Sequence, residues 1–65
     1  MHEELTEQDH HVLMMLEAGH SAVETAASLG LELPVLAARL TQLRHILGVS
    51  STAAAIDAVL GEHRN

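Results

Sequence analysis

Between Ser21 and Val49 the chain reads as two helices joined by a tight glycine turn, SAVETAASLGLELPVLAARLTQLRHILGV. Leu36, Leu40, Leu43 and Leu47 recur at intervals of four, three and four, which lays a buried stripe along one side of an α-helix. Pro34 falls in the first turn, where its missing amide forfeits no hydrogen bond, and Gly48 follows the stripe. These marks predict a helix over 33–47. Just before it, Ser21-Ala22-Val23-Glu24 has the spacing of an N-terminal capping box, and Gly30 is placed to end a short helix over 22–29. A helix of about two turns must be held by its neighbours rather than by propensity.

The flanking segments follow the same grammar. Thr6-Glu7-Gln8-Asp9 is a second capping box, with Glu7 and Asp9 set against the positive end of the helix dipole. Val12, Leu13 and Leu16 form an apolar stripe with Met15 beside it, and Gly19 is placed for a left-handed turn, which predicts a helix over 7–18. Ser50 or Ser51 is positioned to cap a fourth helix over 52–60, in which Ile56, Val59 and Leu60 lie among alanines before Gly61. The expected fold is therefore all-α: a compact four-helix unit, one domain over 1–65 with its core in 5–60. No linker, repeat or low-complexity tract interrupts it.

Composition limits what such a unit can be. The 65 residues contain no Cys, Phe, Tyr or Trp, so the core must come from Leu, Val, Ile, Met and Ala. Disulfides and thiolate metal sites are excluded, and packed helices are favoured over strands. A core this light supplies about 3–5 kcal/mol, and association with a second copy would bury more. A homodimer is expected, with Ala55, Ile56, Val59 and Leu60 as its seam; packing of this stripe on the first helix of its own domain is the competing account. The opening MHEELTEQDHH is acidic and polar, unlike a signal peptide, and no apolar run reaches the ~18 residues of a membrane span. A cytoplasmic protein is expected.

Several kinds of chemistry have no support. There is no nucleophile–base–orienter set and no glycine-rich phosphate loop, so neither an enzyme nor a small-molecule substrate or cofactor is expected. His10/Met14, His11/Met15 and Glu7/His11 are four apart, but adjacent His10 and His11 point about 100° apart on a helix and lack a compact third ligand. No metal site is expected. Without an aromatic to stack on a base, single-strand or RNA binding is disfavoured.

Taken together, a set of residues at fixed spacing resembles a known family. Leu5-Thr6-Glu7, Val12-Leu13, Leu16, Gly19 and Ser21 are followed by Glu24, Ala26, Leu29-Gly30, Leu36, Leu40, Leu47-Gly48-Val49-Ser50 and Ala55-Ile56. This pattern, without gaps from Leu5 to about Ile56, is similar to the LuxR/GerE-type helix-turn-helix domain of bacterial response and quorum-sensing regulators. The resemblance implies that the second and third helices form a DNA-binding pair, the third entering the major groove, while the fourth pairs with its mate in a dimer. Transcription regulation in bacteria is the function it implies.

The reading surface departs from that family. Outward positions of the third helix are Pro34, Ala37, Ala38, Thr41 and His45; across the first four, relatives usually place Lys, Thr or similar polar groups, including a Lys at position 37. Ala22 and Val23 stand where relatives commonly carry Asn and Lys, and Thr25 where they place Ile. Alanines cannot make the bidentate base contacts that are each worth about 1–3 kcal/mol of discrimination. Nine acidic residues face three arginines and no lysine, a formal charge of −6, although six protonated histidines would bring it to zero. Arg39, Arg44, Thr41 and Ser21 remain as DNA-contact candidates. Arg39 could equally bind a carboxylate of its own chain or be solvated. Two phosphate contacts per protomer would give a salt slope of only about −2, so duplex binding is expected to be weak and salt-sensitive. Leu33, Pro34, Val35, Ala37 and Ala38 form a smooth, weakly apolar patch suited to a protein partner such as another regulator. That alternative is an adaptor or antagonist which binds its partner through the third or the fourth helix and never touches DNA.

Overall fold

The computed structural model describes residues 5–61, which form four helices: α1 (Glu7–Glu17), α2 (Ala22–Leu29), α3 (Leu33–Leu47) and α4 (Thr52–Leu60). Three helix starts are fixed by side chains. The Asp9 amide donates to the Thr6 hydroxyl at 3.1 Å while the Thr6 amide donates to the Asp9 carboxylate at 2.9 Å. Ser21 and Glu24 repeat the exchange at 3.0 and 2.9 Å. Of the two serines before α4, Ser51 is the cap, accepting from the Ala54 amide at 3.0 Å. Each cap satisfies amides that a helix start leaves without carbonyl partners. At the start of α3, Glu32 makes no such bond and Pro34 supplies the preset backbone instead.

Helix ends are set by glycine. Gly30 and Gly48 adopt φ of +70° and +71°, a left-handed geometry that any Cβ would strain. The chain then folds back: the Leu31 amide donates to the Ala26 carbonyl and the Val49 amide to the Arg44 carbonyl, both at 2.9 Å. Leu31 and Val49 thereby swing inward and pack on the core, the apolar contact that accompanies this kind of helix stop. α1 closes one residue sooner than expected, because Ala18 is already its C-cap and Gly19 takes the positive φ.

α1 packs on α4 and α2, and α3 packs on α2 and α4. The interior has two lobes. Leu13, Leu43, Ala55, Val59 and Leu60 make one; Val12, Ala26 and Leu36 make the other. Leu40 touches both and joins them. Neighbouring Val12 and Leu13 serve different lobes, so α1 is wedged between the α2 and α4 sides of the domain. In the α3 stripe, Leu36 and Leu43 are fully buried, with Leu40 and Leu47 partly so. Each fully buried leucine contributes about 1.5–3 kcal/mol of transfer free energy, so these few side chains dominate a core without aromatics.

This packing corrects the expected dimer seam. Ala55, Val59 and Leu60 are 1%, 8% and 6% exposed and lie inside the domain against Leu13 and Leu43, and only Ile56 is half-buried. The competing account, packing on α1, is the one observed. Among the described residues, no single helix is long and apolar enough to cross a membrane.

A Val59→Asp substitution should therefore unfold the domain rather than yield a folded monomer. Burying an unpaired carboxylate costs more than the roughly 3–5 kcal/mol that such a core provides. Loss of the helical circular-dichroism signal at neutral pH is the expected result. A cooperative, fully helical variant would contradict this packing.

Candidate functional site

α2 and α3 pack against each other across the Gly30 turn and leave one side of α3 open. That open side carries Pro34, Ala37, Ala38, Thr41 and His45, all exposed, at the positions expected to face outward. The site candidates can be placed against this surface one by one.

Arg39 is turned away from it. Its Nε donates to Asp9 Oδ1 at 2.7 Å and its Nη2 bonds to Asp9 Oδ2, a two-pronged pair in which the carboxylate is 1% exposed. The third guanidinium nitrogen, Nη1, donates to Gln42 Oε1 at 2.8 Å. Of the three readings open to this residue, the structure selects a carboxylate on its own chain. The same carboxylate accepts from the Thr6 amide, so one buried group caps the start of α1 and ties it to the middle of α3. The Arg39 hydrogen bonds, together with those from Thr6, hold the Asp9 carboxyl below its ordinary value of 3.8, against the opposing effect of burial.

The other DNA-contact candidates are also engaged within the chain. Arg44 is half-buried and donates through Nη1 to the Thr52 hydroxyl and through Nη2 to the Thr41 hydroxyl, each at 3.1 Å. Thr41 in turn donates to the Ala37 carbonyl at 3.2 Å. Ser21 is occupied as the α2 cap. These bonds fix the side chains on the domain; they do not remove the positive charge of Arg44, which stays beside the exposed Thr41. Thr25, the polar residue in the α2 core, is fully buried and donates its hydroxyl to the Ser21 carbonyl at 2.8 Å. Its buried hydroxyl thus has a hydrogen-bond partner.

The apolar candidates behave differently. Leu33, Pro34, Val35, Ala37 and Ala38 are all exposed, Leu33 at 43% and Val35 at 54%. Val23 on α2 and Met14 on α1 are two further exposed apolar side chains, 61% and 50%, that the helical patterns did not single out. The described histidines, His10, His11, His20 and His45, are all exposed. His20 lies 3.6 Å from the Glu24 carboxylate on the surface, and the Glu24 carboxyl is held below its ordinary value mainly by the Ser21 amide, with a smaller effect from His20. Among the described residues no three His, Asp or Glu side chains converge to hold a metal ion.

The Asp9–Arg39 pair escaped the sequence patterns because its members are 30 positions apart on different helices. Asp9 was legible as a cap and Arg39 as a cation, and nothing local joined them. No family model, curated protein or solved structure matches this chain.

Two measurements check the pair. Arg39→Ala leaves a buried carboxylate uncompensated and should cost about 3–5 kcal/mol in urea unfolding, enough to unfold most of the population. Arg39→Lys should recover only part, since an ammonium cannot supply the two-pronged geometry. Acid titration gives an independent sign. With the folded value depressed, the unfolded chain takes up the proton first. The contribution of Asp9 is present above 3.8 and is lost as pH falls through the lower folded value. Thermal midpoints measured from about pH 7 down to about pH 2 should fall at the acid end. In Asp9→Asn that part of the fall should be missing.

Proposed function

We propose that the chain is a helix-turn-helix module of the LuxR/GerE kind, acting in bacterial transcription control within the cytoplasm, with weak and salt-sensitive duplex binding of its own. One observation carries this reading: α2 and α3 are packed through Leu36, Ala26 and Leu29, and the opposite side of α3 is open to solvent along more than two turns. A helix so held and so exposed has the geometry of a groove-reading element.

The weakness of the grip follows from the side chains. With Arg39 drawn onto Asp9, Arg44 is the cation that α3 offers near its open face. One phosphate contact corresponds to a salt slope of about −0.9 per protomer. Methyl groups of Ala37, Ala38 and Thr41 offer contact with a thymine methyl but no bidentate recognition of a base. Pairing of two copies belongs to the same reading. With Ala55, Val59 and Leu60 inside the domain, it would run through exposed Ala53 and half-buried Ala54, Ile56 and Ala58.

The exposed patch at the start of α3 favours a second reading, an adaptor or antagonist that binds a protein partner. Its contact surface is apolar and keeps its side chains out of the core, whereas Arg39 is drawn onto Asp9 and Arg44 is hydrogen-bonded to Thr52 and Thr41.

Electrophoretic shift with mixed genomic fragments, at low salt near pH 6 and pH 8, tests the first reading. Weak retardation that disappears toward physiological salt and is stronger at the lower pH is expected, because protonated histidines offset the formal charge of −6. Ala37→Lys, at an exposed position, should increase binding and steepen the salt slope by about one. Tight, sequence-selective binding by the unaltered chain at physiological salt would refute the argument from charge. No binding at either pH, with Ala37→Lys equally silent, would leave the adaptor.

A further inference from the structure

The outer side of α1 carries donors that neither the core nor the contacts of α3 use. His10, His11 and Met14 are exposed, Met14 at 50%, on a helix that buries Asp9, Val12 and Leu13. Neither imidazole is held by a hydrogen bond or ion pair to another described residue. On an α-helix Met14 stands about 40° around from His10 and about 60° from His11, so it falls between two imidazoles that diverge by about 100°. It follows them by four and three positions, the spacings at which side chains of one helix face become neighbours. Long side chains in a helix lean toward its N-terminus, which carries the Met14 thioether back over the turn bearing both histidines.

We propose that His10, His11 and Met14 form a surface site for a soft monovalent cation, Cu(I), bound through two imidazole nitrogens and one thioether sulfur. The donor set decides the ion. A zinc site needs further nitrogen, carboxylate or thiolate donors; no three His, Asp or Glu side chains among the described residues converge to supply them, and the chain has no Cys. Thioether sulfur is a soft donor that selects Cu(I), and imidazole suits the same metal. The expectation of no metal site came from pairing each histidine with the methionine four positions on. It left out the three-residue step from His11 to Met14, which lets one sulfur serve both rings. Met15 is half-buried and about 140° around from His10, outside the set. Exposed Glu7, one turn earlier on this face, adds negative charge near the cation. The capping box and the Asp9–Arg39 pair fix the backbone of α1, so binding requires only side-chain rotation. The site is independent of what α3 binds.

The test follows methionine methyl and histidine ring signals of the isotope-labelled full chain in chloride-free buffer at about pH 7.5. Silver nitrate serves as a redox-inert soft monovalent probe, Cu(I) is added anaerobically as its acetonitrile complex, and zinc sulfate is the control. Both monovalent ions should shift the Met14 methyl together with the His10 and His11 rings and leave the Met15 methyl in place; zinc should not move Met14. Met14→Leu, His10→Gln and His11→Gln, all at exposed positions, should keep the helical signal and each weaken silver binding by about tenfold or more. Undiminished affinity in any of the three variants would overturn the proposal. So would shifts confined to Met1 or Met15, an equal response to zinc, or a Met14 methyl that stays unmoved by either monovalent ion.

Discussion

Asp9 is a carboxylate held almost entirely away from water in a domain whose other interior groups are aliphatic, apart from the Thr25 hydroxyl. A charge in that position is tolerated only when its hydrogen-bonding capacity is met, and here two guanidinium nitrogens and the Thr6 amide meet it. The arrangement couples three structural facts that would otherwise be independent: where α1 begins, how α1 lies across α3, and which way Arg39 points. Its net contribution to stability is smaller than its Coulombic attraction, because both ions lose solvent. Its directional effect is larger. Aliphatic packing sets helix positions through interdigitated side chains, and the two-pronged ion pair adds a directional contact between α1 and α3.

α3 carries the remaining organisation. Its leucine stripe faces two lobes of core, and Leu40 belongs to both. The α2 lobe is small, built around Val12, Ala26 and Leu36, and holds a helix too short to persist alone. The α4 lobe is larger and consumes the apolar side of α4. That choice leaves α4 with Ala53 and Asp57 toward solvent, and among the described residues the larger exposed apolar side chains lie on α1, α2 and the start of α3. The surface open for recognition is thus what remains after α1 has claimed the aliphatic stripe of α4.

These two features bear on function together. The frame sets a helix on a rigid support with its outer side exposed, as groove recognition requires. The ion pair draws Arg39 off that side and into the domain. What is left outward is methyl-bearing and nearly uncharged, with Glu32 at its edge. A surface of this kind has little to offer phosphate, whose neutralisation drives duplex affinity, and more to offer a partner that buries apolar area. The regulatory reading and the adaptor reading therefore differ over α3's outer side chains and agree on everything beneath them.

Helix positions were readable from local signals because those signals act locally. Thr6 with Asp9, Ser21 with Glu24, and Ser51 reach amides three residues away, and Gly30 and Gly48 need only their own backbone freedom. The leucine interval declared which side of α3 turns inward, and its outward positions followed by elimination. The end of α1 was misplaced by one residue because Ala18 fits either the last turn or the cap. Two matters were open until the helices came together. One is the partner of the α4 stripe, where α1 and a second copy offer the same kind of apolar surface. The other is the partner of Arg39, a carboxylate thirty positions back whose capping role was already visible. Periodicity and capping record what a residue does within its own helix. The side chain it meets across the core depends on how the helices pack, and that packing is a property of the assembled domain.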